Sequence, residues 1–137
     1  MRPGDEVRLT LPARSEFVGV ARSLVAGIAS RLDLDLDQIE DVRLAVSEAC
    51  AVVLPDVRPA SELDVVLRLG EADLTVDISA PTSAEAMGTA ESFAWTVLRA
   101  LTDQADGEVA QGRLRVRLRF VAPVGSRSEQ DAGAGLP

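Results

Sequence analysis

Histidine and lysine are missing altogether, and cysteine occurs once, at Cys50, in a chain of 137 residues. Without an imidazole there is no base for a Ser-His-Asp arrangement, and one thiol alone cannot make a zinc site, so no metal centre is expected. A single cysteine cannot close an internal disulfide, which fits a reducing compartment. No apolar run approaches the roughly 18 residues a membrane-crossing helix needs. The opening stretch from Met1 to Glu6 has no apolar segment of the kind a secretory leader carries. The expectation is a cytoplasmic protein with no membrane contact.

Apolar residues make up 47% of the chain, enough for one core in one domain of ordinary size. The net charge is −8 and all 14 positive charges are arginine. An acidic chain repels phosphate backbones, so direct nucleic-acid binding is not expected and a basic protein partner is. Any chemistry has to run on carboxylates, hydroxyls, arginine and backbone.

Hydrophobic period predicts the elements. Residues 5–11 alternate, with Val7, Leu9 and Leu11 on one side, and read as a half-buried strand. Over 14–32, Phe17, Val20, Ala21, Leu24, Val25, Ile28 and Leu32 recur at steps of three and four, the mark of an amphipathic helix that Ser15 is placed to cap. A second helix is expected from Asp37, where Asp37-Gln38-Ile39-Glu40 has capping-box spacing. Its buried stripe is Ile39, Val42, Val46, Ala49, Cys50 and Val53, and Pro55 and Pro59 end it. Leu63 to Leu69 and Leu74 to Ile78 alternate on either side of Gly70-Glu71, an antiparallel hairpin.

Residues 79–90 are small, polar and breaker-rich, and read as a mobile loop. A third helix is expected over 91–104, with Phe93, Val97, Leu98 and Leu101 on its apolar side and Trp95 nearby. Asp106-Gly107 marks a turn before the strictly alternating strand 113–120, whose arginines 113, 115, 117 and 119 share one face. That row is either a nucleic-acid stripe or a solvated face balanced by Glu62, Asp64, Asp73 and Asp77; the overall acidity favours the second. Residues 123–137 carry too little apolar surface to fold and read as a disordered tail after a domain over 1–122. Strands with one apolar face each and three helices give an α/β fold. It is a two-layer sandwich: a mostly antiparallel sheet of four to five strands with three helices on one face.

The string IEDVRLAVSEA at 39–49 resembles the second helix of the RsbW/SpoIIAB anti-sigma factor kinases, members of the histidine-kinase-like (GHKL) ATPase superfamily. ARSEFVGVARSLVAGIASRL, SFAWTVLRALTD and GRLRVRLR resemble their first helix, third helix and last strand, so the likeness covers about residues 5–121. The resemblance implies a protein that captures a sigma factor and meets an anti-anti-sigma (STAS-type) antagonist. In the family that antagonist is phosphorylated on serine with ATP and magnesium. An arginine of the first helix contacts both partners there; Arg22 falls at that position, with Glu16 on the same helix. A homodimer is a further implication.

The nucleotide motifs of that family are altered. Its second helix reads Glu-Ala-x-x-Asn, a carboxylate suited to take the serine proton and an amide oxygen suited to Mg²⁺. Here Glu48 and Ala49 match, but Val52 stands for Asn. The Asp-x-Gly-x-Gly that closes the hairpin becomes Ile78, Ala80 and Thr82, with Asp77 one residue out of register and hence on the opposite face. The Gly-x-Gly before the third helix, where amides hold phosphate, becomes Ser92-Phe93-Ala94, with only Gly88 nearby. Trp95 and Phe93 either fill space that nucleotide and glycine take in the family or pack as ordinary helix residues. The expected function is an anti-sigma factor without efficient ATP use and without a bound cofactor. The alternative is a serine kinase using MgATP, with Glu48 as its general base.

Overall fold

The computed structural model describes residues 1–85 and 92–122. Strand β1 spans Glu6–Pro12, helix α1 Val18–Ala29 and helix α2 Leu36–Val53. The hairpin is β2 (Glu62–Leu69) and β3 (Asp73–Pro81), followed by α3 (Phe93–Leu101), β4 (Gln104–Ala110) and β5 (Arg113–Val121). Among the described residues the five strands form one antiparallel sheet in the order β1-β2-β3-β5-β4.

The alternation read in the sequence sets the two layers. Leu63, Val65 and Leu67 of β2, Val76, Ile78 and Ala80 of β3, and Val116 and Leu118 of β5 are wholly buried under the helices. Helix α2 lies across the middle of this face and packs against β3, β5 and both other helices. It buries Val42, Ala45, Val46, Ala49, Cys50 and Val53, with Ile39 only partly covered. Each large aliphatic side chain taken out of water contributes roughly 1.5–3 kcal/mol, so this stripe is the main anchor of the helix layer.

The opposite face is a ladder of ion pairs. Register puts Asp77 opposite Arg117, Glu108 opposite Arg115 and Glu6 opposite Arg68. Diagonal contacts then join Arg119 to Asp73 at 2.8 Å and Arg68 to Asp77 at 2.6 Å. The arginine row is therefore a balanced outer face. Asp64 takes part through Arg113, whereas Glu62 sits opposite Pro12 at the start of β2 and, among the described residues, makes no ion pair.

Several boundaries differ from the sequence reading. Residues 15–17 form a 3-10 turn before α1, and Ser15 makes no capping bond there. The capping box of α2 lies two residues earlier than expected. Asp35 accepts from the Gln38 amide at 2.8 Å and the Gln38 side chain accepts from the Asp35 amide at 2.9 Å. Residues 79–81 continue β3, so the expected loop starts later; its 86–90 part, Gly88 included, and the expected tail over 123–137 lie outside the described residues. Helix α3 is shorter than 91–104 because the chain enters β4 at Gln104. Asp106-Gly107 is strand, not turn. The tight turn is Gln111-Gly112, where φ is 55° and 74°, the left-handed pair that matches strand twist.

Gly27 sits exposed in the last turn of α1, and a methyl group there would meet no atom within 4 Å. Gly27→Ala should raise stability by about 0.5–1 kcal/mol by removing backbone freedom from the unfolded chain. A urea titration checks this through an upward shift of the midpoint at constant slope.

Candidate functional site

Two places hold the residues singled out from the sequence, and they lie on different sides of α2. The first is the α1–α2 surface. Arg22 reaches from α1 across to α2, where its Nη1 donates to the Ser47 hydroxyl at 3.2 Å. Leu44, one turn before Ser47 on α2, stays 46% exposed, which makes this surface part apolar and part cationic. Glu16 does not join Arg22: it lies in the turn before α1 and pairs with Arg14 at 3.0 Å.

The second is the region of the altered nucleotide motifs. Glu48 is half-buried on α2, and among the described residues its carboxylate has no partner. Val52, one turn on, is partly buried and packs against the core. Ile78 and Ala80 are wholly buried in that core. Thr82 is 1% exposed and ties the end of β3 down. Its hydroxyl donates to the Asp56 carbonyl and accepts from the Ala84 amide at 3.0 Å, and its amide donates to the Gly112 carbonyl at 2.9 Å. The Arg58 amide adds a bond to the Pro81 carbonyl at 2.9 Å. The strand end is thereby fastened to the segment after α2 and to the β4–β5 turn.

At the start of α3, Ser92 stands at the N-cap with no side-chain capping bond, and Ala94 is half-buried in the first turn. Trp95 is 5% exposed and belongs to the core, whereas Phe93 is 82% exposed. Phe93 therefore neither fills a vacated space nor forms the apolar side of α3; Trp95 and Leu98 do that. The helix phase explains it, since Phe93 is two residues from Trp95 and so points away from it.

Asp77 is placed on the other side of the sheet from Glu48 and Val52, and does not join the nucleotide region. Its carboxylate takes Arg117 at 2.7 Å and Arg68 at 2.6 Å. Burial alone would push its pKa up; the hydrogen bonds and charges of Arg117 and Arg68 outweigh that and hold it below the ordinary carboxylate value. The Cys50 thiol is pushed up to about 12 by burial, so it stays protonated and is neither nucleophile nor metal ligand at neutral pH. Among the described residues no three acidic or cysteine side chains are grouped to hold a metal ion.

Clefts of about 190 and 500 Å³ open at the far end of the sheet, the first beside the β2–β3 turn and the second between the start of α2 and the end of α3, and share Leu34, Phe120 and Ala122. Neither is lined by Glu48, Val52, Ile78, Ala80, Ser92 or Ala94. They lie roughly 30 Å along β3 from Thr82. Ser47 and Thr82 as anchors were missed in the sequence because their partners are far away in the chain.

Val52→Asn would restore an amide next to Glu48. The side chain is only partly buried, so the amide reaches some water and the cost should be about 1 kcal/mol. A thermal melt equal to wild type would show that this position faces open solvent instead.

An antiparallel sheet covered on one face by three helices, with β1 at one edge and the β4–β5 hairpin at the other, places the chain in the class of histidine-kinase-like ATPase folds. The RsbU and RsbW domains of a Mycobacterium tuberculosis protein, known from a crystal structure, superpose with a TM-score of 0.69 at 14% identity. The match covers 87% of this chain and 32% of that one. In sequence, 97 residues are 35% identical to the anti-sigma-F factor RsbW of Mycobacterium tuberculosis, which is 71% of this chain and 58% of that protein. A stretch of 50 residues is 52% identical to the serine-protein kinase RsbW of Halalkalibacterium halodurans, 36% of this chain and 31% of that protein. No protein-family model matches the chain. The chain is thus similar to RsbW proteins in sequence and in fold, and it spans 31% and 58% of the length of these two relatives.

Proposed function

We propose that this chain is a cytoplasmic anti-sigma factor. It sequesters a sigma factor, is released when an anti-anti-sigma protein of STAS type takes the sigma factor's place, and so regulates transcription without efficient use of ATP. The observation that carries the second half of this reading is Val52, a hydrocarbon where the kinases of the family place a metal-holding amide. Asp77, held on the far side of the sheet by two arginines, and Thr82, buried in place of a glycine, support it. For the first half, the support is the name of the mycobacterial relative, an anti-sigma-F factor, and the cationic and apolar surface around Arg22. The absence of any helix long and apolar enough to cross a membrane, among the described residues, agrees with a cytoplasmic site of action.

Titration of purified sigma factors from the source genome in nucleotide-free buffer tests this. One of them is expected to bind tightly, with an affinity that MgATP leaves unchanged. If none binds, the reading is lost. A STAS-type antagonist should displace the bound sigma factor without covalent change.

The second reading, a serine kinase acting on that antagonist, is favoured by one feature, the Glu48 carboxylate on α2, which has no partner among the described residues. It predicts a phosphorylated antagonist after incubation with MgATP, and loss of that product in Glu48→Ala. An unmodified antagonist by mass spectrometry rules it out. Light scattering of the free chain tests the expected homodimer.

A further inference from the structure

Most arginines of this chain are already committed to a carboxylate. On the outer face of the sheet Arg68, Arg113, Arg117 and Arg119 each hold one within 3.2 Å. On α2 itself Arg43, one turn before Ser47, is paired with Glu40 at 3.0 Å. Arg22 differs. Its one polar side-chain contact is the neutral hydroxyl of Ser47, and among the described residues it has no carboxylate partner. Gly19 lies beneath it: the nearest atom to a methyl group built there is the Arg22 Nη2, at 3.7 Å. The guanidinium is thus laid back over its own helix, one turn toward the N-terminus, with one amino group fixed on α2 and its charge uncompensated.

We infer that Ser47 is a positioning residue for Arg22. It holds the guanidinium as an anchor pre-oriented for a carboxylate of the bound sigma factor. This rests on the partner reading above and adds how the surface recognises its ligand. A flexible arginine loses side-chain entropy when it is captured, and fixing it beforehand removes part of that cost from the binding step. A hydroxyl suits this task better than an acid would. It takes one N–H and leaves the charge and the remaining donors for the partner, whereas a carboxylate at this position would use up both. Leu44, one turn before Ser47 and 46% exposed, supplies apolar surface on the α2 side of the charge. The fitting ligand is an Asp or Glu flanked by apolar side chains on a protein surface.

The test has two readouts on the full chain. In the free protein, ¹⁵N relaxation of the Arg22 Nε–Hε group should report an ordered side chain, which becomes mobile in Ser47→Ala and stays ordered in Ser47→Thr. In titrations with the source-genome sigma factors, each purified and added alone, Ser47→Ala should weaken the binding of the responding one by about three- to tenfold. Arg22→Ala should weaken it by more, and the double variant should be no weaker than Arg22→Ala alone. The melting temperature of all three should match wild type, which separates positioning from a folding defect. Wild-type affinity in Ser47→Ala, or equal mobility of the Arg22 group in both proteins, overturns the inference while leaving the sigma-factor reading intact. If wild type itself binds none of the sigma factors, the partner reading falls and the positioning role goes with it.

Discussion

Asp77→Ala should lower the unfolding free energy by about 2–3 kcal/mol and flatten the acid limb of the stability profile. Asp77 is 5% exposed, yet it carries a charge, and three hydrogen bonds from Arg68 and Arg117 offset its desolvation. Removing it also strips the centre of the ladder that joins β2, β3 and β5. The two arginines are about half exposed and regain water, so the cost stays under the roughly 3–5 kcal/mol of a wholly buried pair. The sign of the pH effect follows from the depressed folded pKa. The stabilisation is fully present above the ordinary carboxylate value of about 3.9 and is lost as pH falls through the lower folded value. Urea midpoints measured from pH 7 downward check both parts. An unchanged acid limb in the variant would mean that other carboxylates govern acid unfolding.

Thr82→Val should cost about 2 kcal/mol. The substitution keeps the shape of a side chain that is 1% exposed but removes its hydroxyl. The Asp56 carbonyl then loses a donor and the Ala84 amide an acceptor, and both lie in a part-buried setting. Thr82→Ser should recover most of the loss. Denaturant unfolding of the pair checks this. Equal stability of Thr82→Val and wild type would show that water replaces both bonds, and that the end of β3 is looser than its hydrogen bonds indicate.

What could be read in the sequence was whatever depends on local period and on residue type. Alternation in β1, β2, β3 and β5, and the three-and-four spacing of α1 and α2, translate directly into one buried side per element. A strand or helix half covered by a core has no other way to hide its apolar atoms. The strand β4 escaped because Asp106-Gly107 carries a strong turn signal and the segment QADGEVA has few apolar residues. Pairing with β5 along its whole length supplies the backbone hydrogen bonds that its own sequence does not promise. The capping box was missed by two residues because Asp35 and Asp37 offer the same chemistry. Only Asp35 has Gln38 at the third helical position to close the box.

The residue types at positions 52 and 77 were legible in the same way. That Val52 has no oxygen is a property of valine, and no fold changes it. The phase of β3 alone puts Asp77 away from the helices, because a strand turns each successive side chain to the opposite face. The exposure of Phe93 was not legible, since Phe93, Val97 and Leu101 also recur at helical spacing and only packing turns Trp95 and Leu98 inward.

The sequence by itself determined the types of the elements other than β4, the face most of them bury, and that a hydrocarbon, Val52, stands one turn after Glu48. Only the tertiary structure decided that Arg22 meets Ser47 25 residues away, that Thr82 meets Asp56 26 away, and that Asp77 meets Arg117 40 away. The physical reason is that local pattern fixes a direction for each side chain but not a distance between elements. The distance comes from strand register and helix packing, which the whole core sets at once.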